Sequence, residues 1–367
     1  MAVLPTVACA NGVAAAMAGE VPGAVALLHG HGCGRGMPDV GLHFHALAGL
    51  LTNPNVAAAV VVGLGCEVVK AEALAARVAE TGRPVAWLEI QGEGGSRRCT
   101  EKGVELARRF AREAAHQERV EIPWSELVLG LECGGSDAFS GITANPAVGI
   151  LSDYVVESGG TVILTESTEM IGTAHILGRR ACDPRVEQRV KEVIRKAERR
   201  VRELLGPLAH AVIAPGNMDG GMSSIVEKSL GCIRKGGSSP VVEVVEYGQA
   251  PTRRGLVIMD GPGYDVESMA GLAASGCQAI VFTTGRGNPI GFPIVPVIKV
   301  ASNPRLFQQM RDDMDVNAGA VLEGASLEEV AEELKKVLHR TLDGEPTRAE
   351  VNRQGGILCL YSTTPSF

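Results

Sequence analysis

The segment NPNVAAAVVVGLGCE, residues 53–67, holds the pattern on which the fold turns. Asn53, Pro54 and Asn55 make a turn that feeds the next element. Residues 56–62 are then apolar throughout, with no polar residue at alternate positions. A run of that kind is a strand buried on both faces, as in a parallel sheet covered by helices. Where the run stops, a polar cluster begins: Gly65, Cys66 and Glu67.

The same unit recurs on either side. Strand-like runs occupy 3–7, 24–28 and 85–90, and helix-like stretches occupy 12–18, 40–51, 68–80 and 97–116. A strand–helix rhythm of this sort reads as α/β. A second unit is predicted to begin at Ile122 and Pro123, dividing the chain into domains 1–122 and 123–367. It carries strand-like runs at 127–131 and 161–164 and a charged helix at 184–205 that stops at Gly206 and Pro207. A Gly/Ser-rich stretch at 215–240 follows. Alternation then resumes, with strands at 256–259, 279–283 and 295–300 and helices at 266–275, 305–313 and 326–342.

Composition narrows the function. A chain of 367 residues is long enough for two domains, and 45% hydrophobic with 21% charged residues supplies a real core. Its 46 glycines cluster after the apolar runs, where bare backbone can approach a ligand. Aromatic residues are only 4%, leaving few platforms for nucleobases, and a net charge of −7 argues against nucleic acid or an anionic membrane surface. No apolar stretch has the length of a membrane span. The opening MAVLPTVACANGVAAAMA lacks a basic leader region and is interrupted by Pro5 and Asn11–Gly12, so it reads as a first strand and helix. Nine separated cysteines without a CxxC fit a reducing cytoplasm.

Polar clusters recur at strand ends. They are His29 to Gly34, Gly65 to Glu67, Glu132 to Asp137, Glu166 to Glu169, Asp260 to Asp265 and Thr283 to Asn288. In open α/β sheets the carboxyl ends of strands form the ligand crevice. Each cluster also has a plain structural reading. His29 and His31 are loop histidines, although HxH spacing suits metal binding. Cys66 and Cys133 read as small core residues. Glu166, Glu169 and His175 read either as a helix start or as acids and an imidazole around a divalent cation. The charges along 185–202 read as a solvated helix face. Dinucleotide, P-loop, GxSxG and HExxH motifs are absent, so no nucleotide cofactor is expected.

Seven segments, in order, resemble the altronate/galactarate dehydratase family, which also includes the sulfolactate sulfo-lyase large subunit. They are LPTVACAN (4–11), NPNVAAAVVVGLGCE (53–67), GLECGGSDAFSGITANPAVG (130–149), LTESTEMIGTAHIL (164–177), PGNMDGGMSSIVEKSLGCIRKGG (215–237), MDGPGYD (259–265) and TTGRGNPIGFPIVPVIKVASN (283–303). The resemblance implies a cytoplasmic lyase of stacked α/β units with a Rossmann-like end. It would dehydrate a sugar acid with Fe(II), or with Mn(II) or Mg(II), as a homo-oligomer. Single-chain members carry a small SAF-type domain ahead of the first strand, and Met1 here lies almost at that strand, so a separate small SAF-domain subunit is the expected partner.

Carried over position by position, the resemblance assigns His29, Lys228, Ser136 and Asp137 to catalysis, with His29 or Lys228 moving the proton. Asn217, Glu227, Arg286 and Asn288 would hold substrate. Cys133, Glu166, Glu169, His175 and Asp260 would hold the metal. Three rivals stand beside this reading: a sulfolactate lyase that releases sulfite, an iron–sulfur dehydratase using Cys33, Cys66, Cys133 and Cys232, and a non-enzymatic sugar-acid binding or regulatory subunit.

Overall fold

The structure, a computed structural model, describes residues 1–207, 212–356 and 358–367. Two parallel sheets organise it. The N-terminal sheet contains β1 (Ala2–Pro5), β2 (Val25–Ala26), β3 (Ala59–Gly63) and β4 (Val85–Glu89) in the order β2-β1-β3-β4. Its helices are α1 (Asn11–Gly19), α2 (Met37–Thr52), α3 (Ala71–Ala79) and α4 (Ser96–Ala115). The run that suggested a doubly covered strand is β3, whose five residues are all buried.

The C-terminal sheet opens with β5 (Val128–Cys133), α5 (Ala144–Glu157), β6 (Thr161–Leu164), α6 (Ala174–Arg179) and α7 (Pro184–Leu205). It continues with α8 (Pro215–Asp219), α9 (Ile225–Cys232), β7 (Val241–Glu246), β8 (Gly255–Asp260), α10 (Asp265–Ala274) and β9 (Ala279–Thr284). It closes with β10 (Val297–Ala301), α11 (Pro304–Gln309), β11 (Val316–Asn317), α12 (Leu327–Leu342) and α13 (Arg348–Val351). Strand order is β11-β10-β9-β5-β6-β8-β7, and every recorded pairing is parallel. The chain leaves β5 toward β6 and leaves the adjacent β9 toward β10. The loops after β5 and β9 therefore part in opposite directions and open a crevice between them, the usual ligand position in such a sheet.

Local chemistry accounts for the clearest elements. Asp183 caps α7 by accepting from the amides of Arg185 and Val186, Pro184 occupies the first turn, and Gly206 ends the helix at φ 52°. Ser326 and Glu329 form a reciprocal capping box at α12.

The structure departs from the sequence pattern in three places. The expected strand 24–28 shortens to two residues, because only Val25 and Ala26 pair with β1 before the chain enters the glycine loop. Helix 305–313 shortens to α11. The unexpected α5 was hidden by Pro146 and Gly149. Pro146 is tolerated in the first turn, and a Cβ on Gly149 would lie 2.3 Å from the Arg234 carbonyl oxygen, so glycine permits the close approach.

The two sheets share one apolar core. Leu47, Leu50 and Leu51 of α2 join Ala270, Leu272 and Ala273 of α10 in a single buried cluster. Asn53 ties the contact by donating to the carbonyls of Ala273 and Cys277 at 2.8 and 2.9 Å. Among the described residues, no helix is long and apolar enough to cross a membrane.

Candidate functional site

Period-2 geometry sends Leu129, Leu131 and Cys133 of β5 to one face of the sheet and Glu132 to the other. Cys133 ends the strand and meets residues from three other segments. Glu166 follows β6, Glu169 lies in the 3₁₀ turn Ser167–Met170, and Cys232 closes α9. One ligand atom from each of Cys133, Glu166, Glu169 and Cys232 lies within 4.8 Å of the others, and all four residues are buried.

Backbone conformation is committed to this arrangement. Glu166 adopts φ 69° and ψ 61°, a left-handed conformation that costs a non-glycine residue about 1–3 kcal/mol. The turn delivers its carboxylate to the Cys133 amide at 3.1 Å and to Lys235 Nζ at 2.7 Å. Both side chains of that ion pair are fully buried. Lys228 donates to Glu169, and the Cys133 thiol donates to Glu169 Oε2 at 2.9 Å.

The charges settle one another. Burial, reinforced by the charge of Glu169, pushes Glu166 up to about 7 against the pull of Lys235. Burial also opposes ionisation of Glu169, but Lys228 and Lys235 outweigh it and hold that carboxyl low. Lys228 and Lys235 feel the same burial and are nevertheless held as cations, Lys228 chiefly by Glu169 and Lys235 by the surrounding thiol and carboxyl groups. The Cys133 thiol is held protonated by its bond to Cys232 and by burial.

The donor set fits a divalent cation. A bound cation would displace the thiol protons, and two thiolates with two carboxylates would then carry four negative charges, which a dication and two lysine ammoniums balance. The Cys133 and Cys232 sulfurs stand 3.8 Å apart. The edge of a tetrahedron with metal–sulfur bonds of ~2.3 Å is about 3.8 Å. Thiolates suit Fe(II) or Zn(II) better than Mg(II), which prefers all-oxygen sites.

The remaining assigned residues separate into groups. Asp265, which opens α10, is half-buried, accepts from Asn288 Nδ2 at 2.6 Å and lies within electrostatic reach of Glu169. Gly134 makes room for it, since a Cβ there would lie 2.2 Å from Asp265 Oδ2. Asp137 anchors the loop after β5, accepting from Ser140, Ser302 and Asn303 at 2.7 to 2.9 Å. Asn217 donates to the Ser136 carbonyl at 2.8 Å, which binds α8 to that loop. Arg286 is exposed at the crevice after β9, where its amide donates to the Gly135 carbonyl at 2.7 Å.

Asp260 pairs with Lys196 at 2.7 Å and accepts from Ser167 at 3.0 Å. His175 is exposed on α6, and Glu227 is exposed on α9, where it accepts from the Ser223 amide at 2.8 Å. Neither Asp260 nor His175 belongs to the converging four, whereas Cys232, assigned at first only to a cluster rival, does. Its signal was the C-terminal turn of α9, which a Gly/Ser-rich reading of 215–240 concealed.

His29 lies in the N-terminal unit. Its Nε2 meets the Pro5 carbonyl at 2.7 Å and its Nδ1 accepts from the His31 amide at 3.2 Å, so backbone engages both ring nitrogens. Burial, with a smaller contribution from His43, lowers it to about 4. Of the cysteines in the iron–sulfur rival, Cys33 and Cys66 are exposed and outside the cluster.

A buried thiol–carboxylate cluster that could hold a metal ion stands at the switch point of a parallel sheet, joined to a second α/β unit, in a two-domain α/β protein. Residues 124–364 match the family model described as D-galactarate/Altronate dehydratase, C-terminal, and residues 1–115 match D-galactarate dehydratase/Altronate hydrolase, second domain. The chain belongs to the D-galactarate/altronate dehydratase family.

Similar proteins include altronate dehydratase of Bacillus subtilis, 36% identical over 93% of this chain and 69% of that protein. Galactarate dehydratase (L-threo-forming) of Escherichia coli is 39% identical over 79% of this chain, which spans just over half, 56%, of its length. The (2R)-sulfolactate sulfo-lyase subunit beta of Chromohalobacter salexigens is 35% identical over 95% of this chain and 90% of that subunit.

Proposed function

We propose that the chain is the catalytic part of a metal-dependent lyase that removes water from a sugar acid of the altronate or galactarate class, giving a 2-keto-3-deoxy acid. The buried convergence of Cys133, Glu166, Glu169 and Cys232 carries this reading. These four would hold the cation, with Fe(II) favoured by the two thiol donors. When bound, the cation supplies Lewis acidity toward a substrate carboxylate and its neighbouring hydroxyl.

The chain's own residues supply the rest. Lys228 and Lys235 remain charged, keep Glu169 and Glu166 oriented and place positive potential where an anionic substrate enters. Lys228 therefore acts as a cation rather than a base. Arg286 and Asn288, on the loop after β9, flank the crevice and would hold carboxylate and hydroxyl groups. Asp137 and Asn217 fix the opposing loop and keep the two walls at a constant separation.

A sulfolactate lyase is the second reading, favoured by the 90% coverage of a sulfo-lyase subunit. A companion small SAF-domain subunit belongs to the proposal under either substrate. The test is a panel of altronate, galactarate and sulfolactate with Fe(II), with and without a candidate small subunit, assayed for 2-keto acid and for sulfite. Dehydration of a sugar acid supports the first reading and sulfite release supports the second. A protein that binds substrate and metal without turnover in any arm removes both.

A further inference from the structure

Two lysines, Lys235 and Lys299, are buried at this end of the C-terminal sheet, and Lys228 is nearly so. Lys228 and Lys235 each meet a carboxylate, but Lys299 does not: its side chain is fully buried and Nζ has no hydrogen-bond partner among the described residues. Strand register explains its position. Glu132 of β5 stands opposite Phe282 of β9, and Phe282 stands opposite Lys299 of β10, so the three share the face toward α10. The Lys299 ammonium position lies 3.3 Å from the centre of the Phe282 ring. Glu132 Oε2 accepts from Ser268, and its other oxygen, like Lys299 Nζ, is buried without a partner.

The charged groups facing Lys299 are Asp265 from α10, Glu132 from β5, and Asp315 and Asp313 from the segment before β11. Asp315 is occupied by the amides of Lys299 and Arg348 at 2.7 and 2.9 Å. Asp265 is the half-buried member of the set, bonded to Asn288 at the crevice and coupled electrostatically to both Glu169 and Lys299. It is thus the acid of this set that feels both Glu169 and the buried amine while bonding to the loop after β9.

We propose that Lys299 is a positioning residue that stores the proton leaving the substrate carbon, exchanging it through Asp265. The inference rests on the lyase reading and adds a place for the proton. The C–H bond beside the substrate carboxylate breaks, and its electron pair forms the new double bond and expels hydroxide from the next carbon. The proton passes through Asp265 to the Lys299 amine, making it an ammonium. It then returns to the hydroxide, water leaves, and the amine ends neutral with no change of oxidation state. Burial, opposed by Asp265 and Glu132, holds this lysine down at about 7, whereas Lys228 and Lys235 are held high. A group that titrates near the working pH exchanges protons most effectively.

The test uses the full chain and the variants Lys299→Met and Lys299→Arg. The first measurement needs no substrate: thermal midpoints from pH 6 to 10. A buried amine that is neutral above ~7, and protonated in the unfolded chain up to ~10.4, makes wild-type stability rise across that window. Lys299→Met should lack the rise and melt several degrees higher than wild type at pH 7. The second measurement is the pH dependence of kcat/KM. The wild type should show an acid limb near pH 7. Lys299→Met should lose that limb and about 10²-fold or more in kcat with little change in KM.

Lys299→Arg should fold and remain inactive, because a guanidinium does not release its proton. Recovery of most of the rate in Lys299→Arg would make the lysine a counter-ion and overturn the proposal. So would a Lys299→Met protein that melts lower than wild type throughout and keeps the acid limb. If the wild type turns over no hydroxy acid, the lyase reading falls. A wild-type stability profile parallel to that of Lys299→Met from pH 7 to 10 would defeat the lysine's proton exchange independently.

Discussion

At the strand ends of the N-terminal sheet, His29, Glu67 and Asp39 are answered by backbone and hydroxyl groups. His29 is held between Pro5 and His31, and Glu67 accepts from Thr6 and from the Gly65 amide at 2.8 and 2.7 Å. Asp39 accepts amides and hydroxyls of Thr363 and Thr364, which fastens the C-terminal tail to α2. At the strand ends of the C-terminal sheet, Glu166 and Glu169 are instead answered by the ammoniums of Lys235 and Lys228, with two thiols between them. Neutral partners satisfy a buried group and make it part of the scaffold. Opposed charges in a dry pocket leave strong fields that a cation or an anionic substrate can use. The two ends of the molecule thus hold similar residue types for different work.

The largest effect that separates the two regions should come from unpairing the buried ions. Lys235→Met leaves Glu166 without its cation and should cost about 3–5 kcal/mol in denaturant unfolding, and Glu166→Ala should cost as much by stranding the lysine. A loss below 1 kcal/mol for both would mean that the pair is wet.

Acid should act on the other region with nearly the same size. His29 is neutral in the fold down to about 4, whereas an unfolded histidine protonates near 6.5. Its contribution is therefore complete above pH 6.5 and is lost as pH falls through 4, on the order of 3 kcal/mol for this buried ring. His31, also lowered by burial to about 4, titrates in the same window. A His29→Gln protein should show a shallower decline in stability between pH 6.5 and 4; an unchanged slope would sink the assignment.

Asp39→Ala should cost about 1–3 kcal/mol and expose the tail to proteolysis without altering cation binding. At the small end, Glu227→Gln should shift stability by less than about 0.5 kcal/mol and leave turnover unchanged, as befits an exposed cap contact. A large loss of turnover there would return Glu227 to the substrate site.

Much of this was legible in the sequence. Uninterrupted apolar runs such as 56–62 announced a doubly covered parallel sheet, and the polar residues placed after them marked the strand ends. Cys133, Glu166 and Glu169 could be nominated from that placement together with the family resemblance. Helix α5 was not legible, because Pro146 and Gly149 act as breakers in isolation and become acceptable only where a first turn and a close packing contact demand them. Cys232 was nominated only for the iron–sulfur rival and Lys235 not at all, because they arrive from the end of α9 and the turn after it, not from a strand end. The HxH spacing shows a related limit of sequence: it reports which imidazoles are near each other, whereas the groups that engage them, Pro5 and the Leu360 amide, come from distant segments. The Lys299 environment needed the strand register, which no single segment contains.

On the proposed reading, the buried sulfur and carboxylate groups around Cys133 grip one divalent cation. Titrating the apo protein with Co(II) under anaerobic conditions is the decisive experiment, because thiolate coordination gives a charge-transfer absorption that oxygen and nitrogen ligands do not. The predicted result is one equivalent bound with that absorption, weakened in Cys133→Ser and in Cys232→Ser and abolished in the double variant. Stoichiometric binding without the absorption, or with the absorption intact in the double variant, would contradict it.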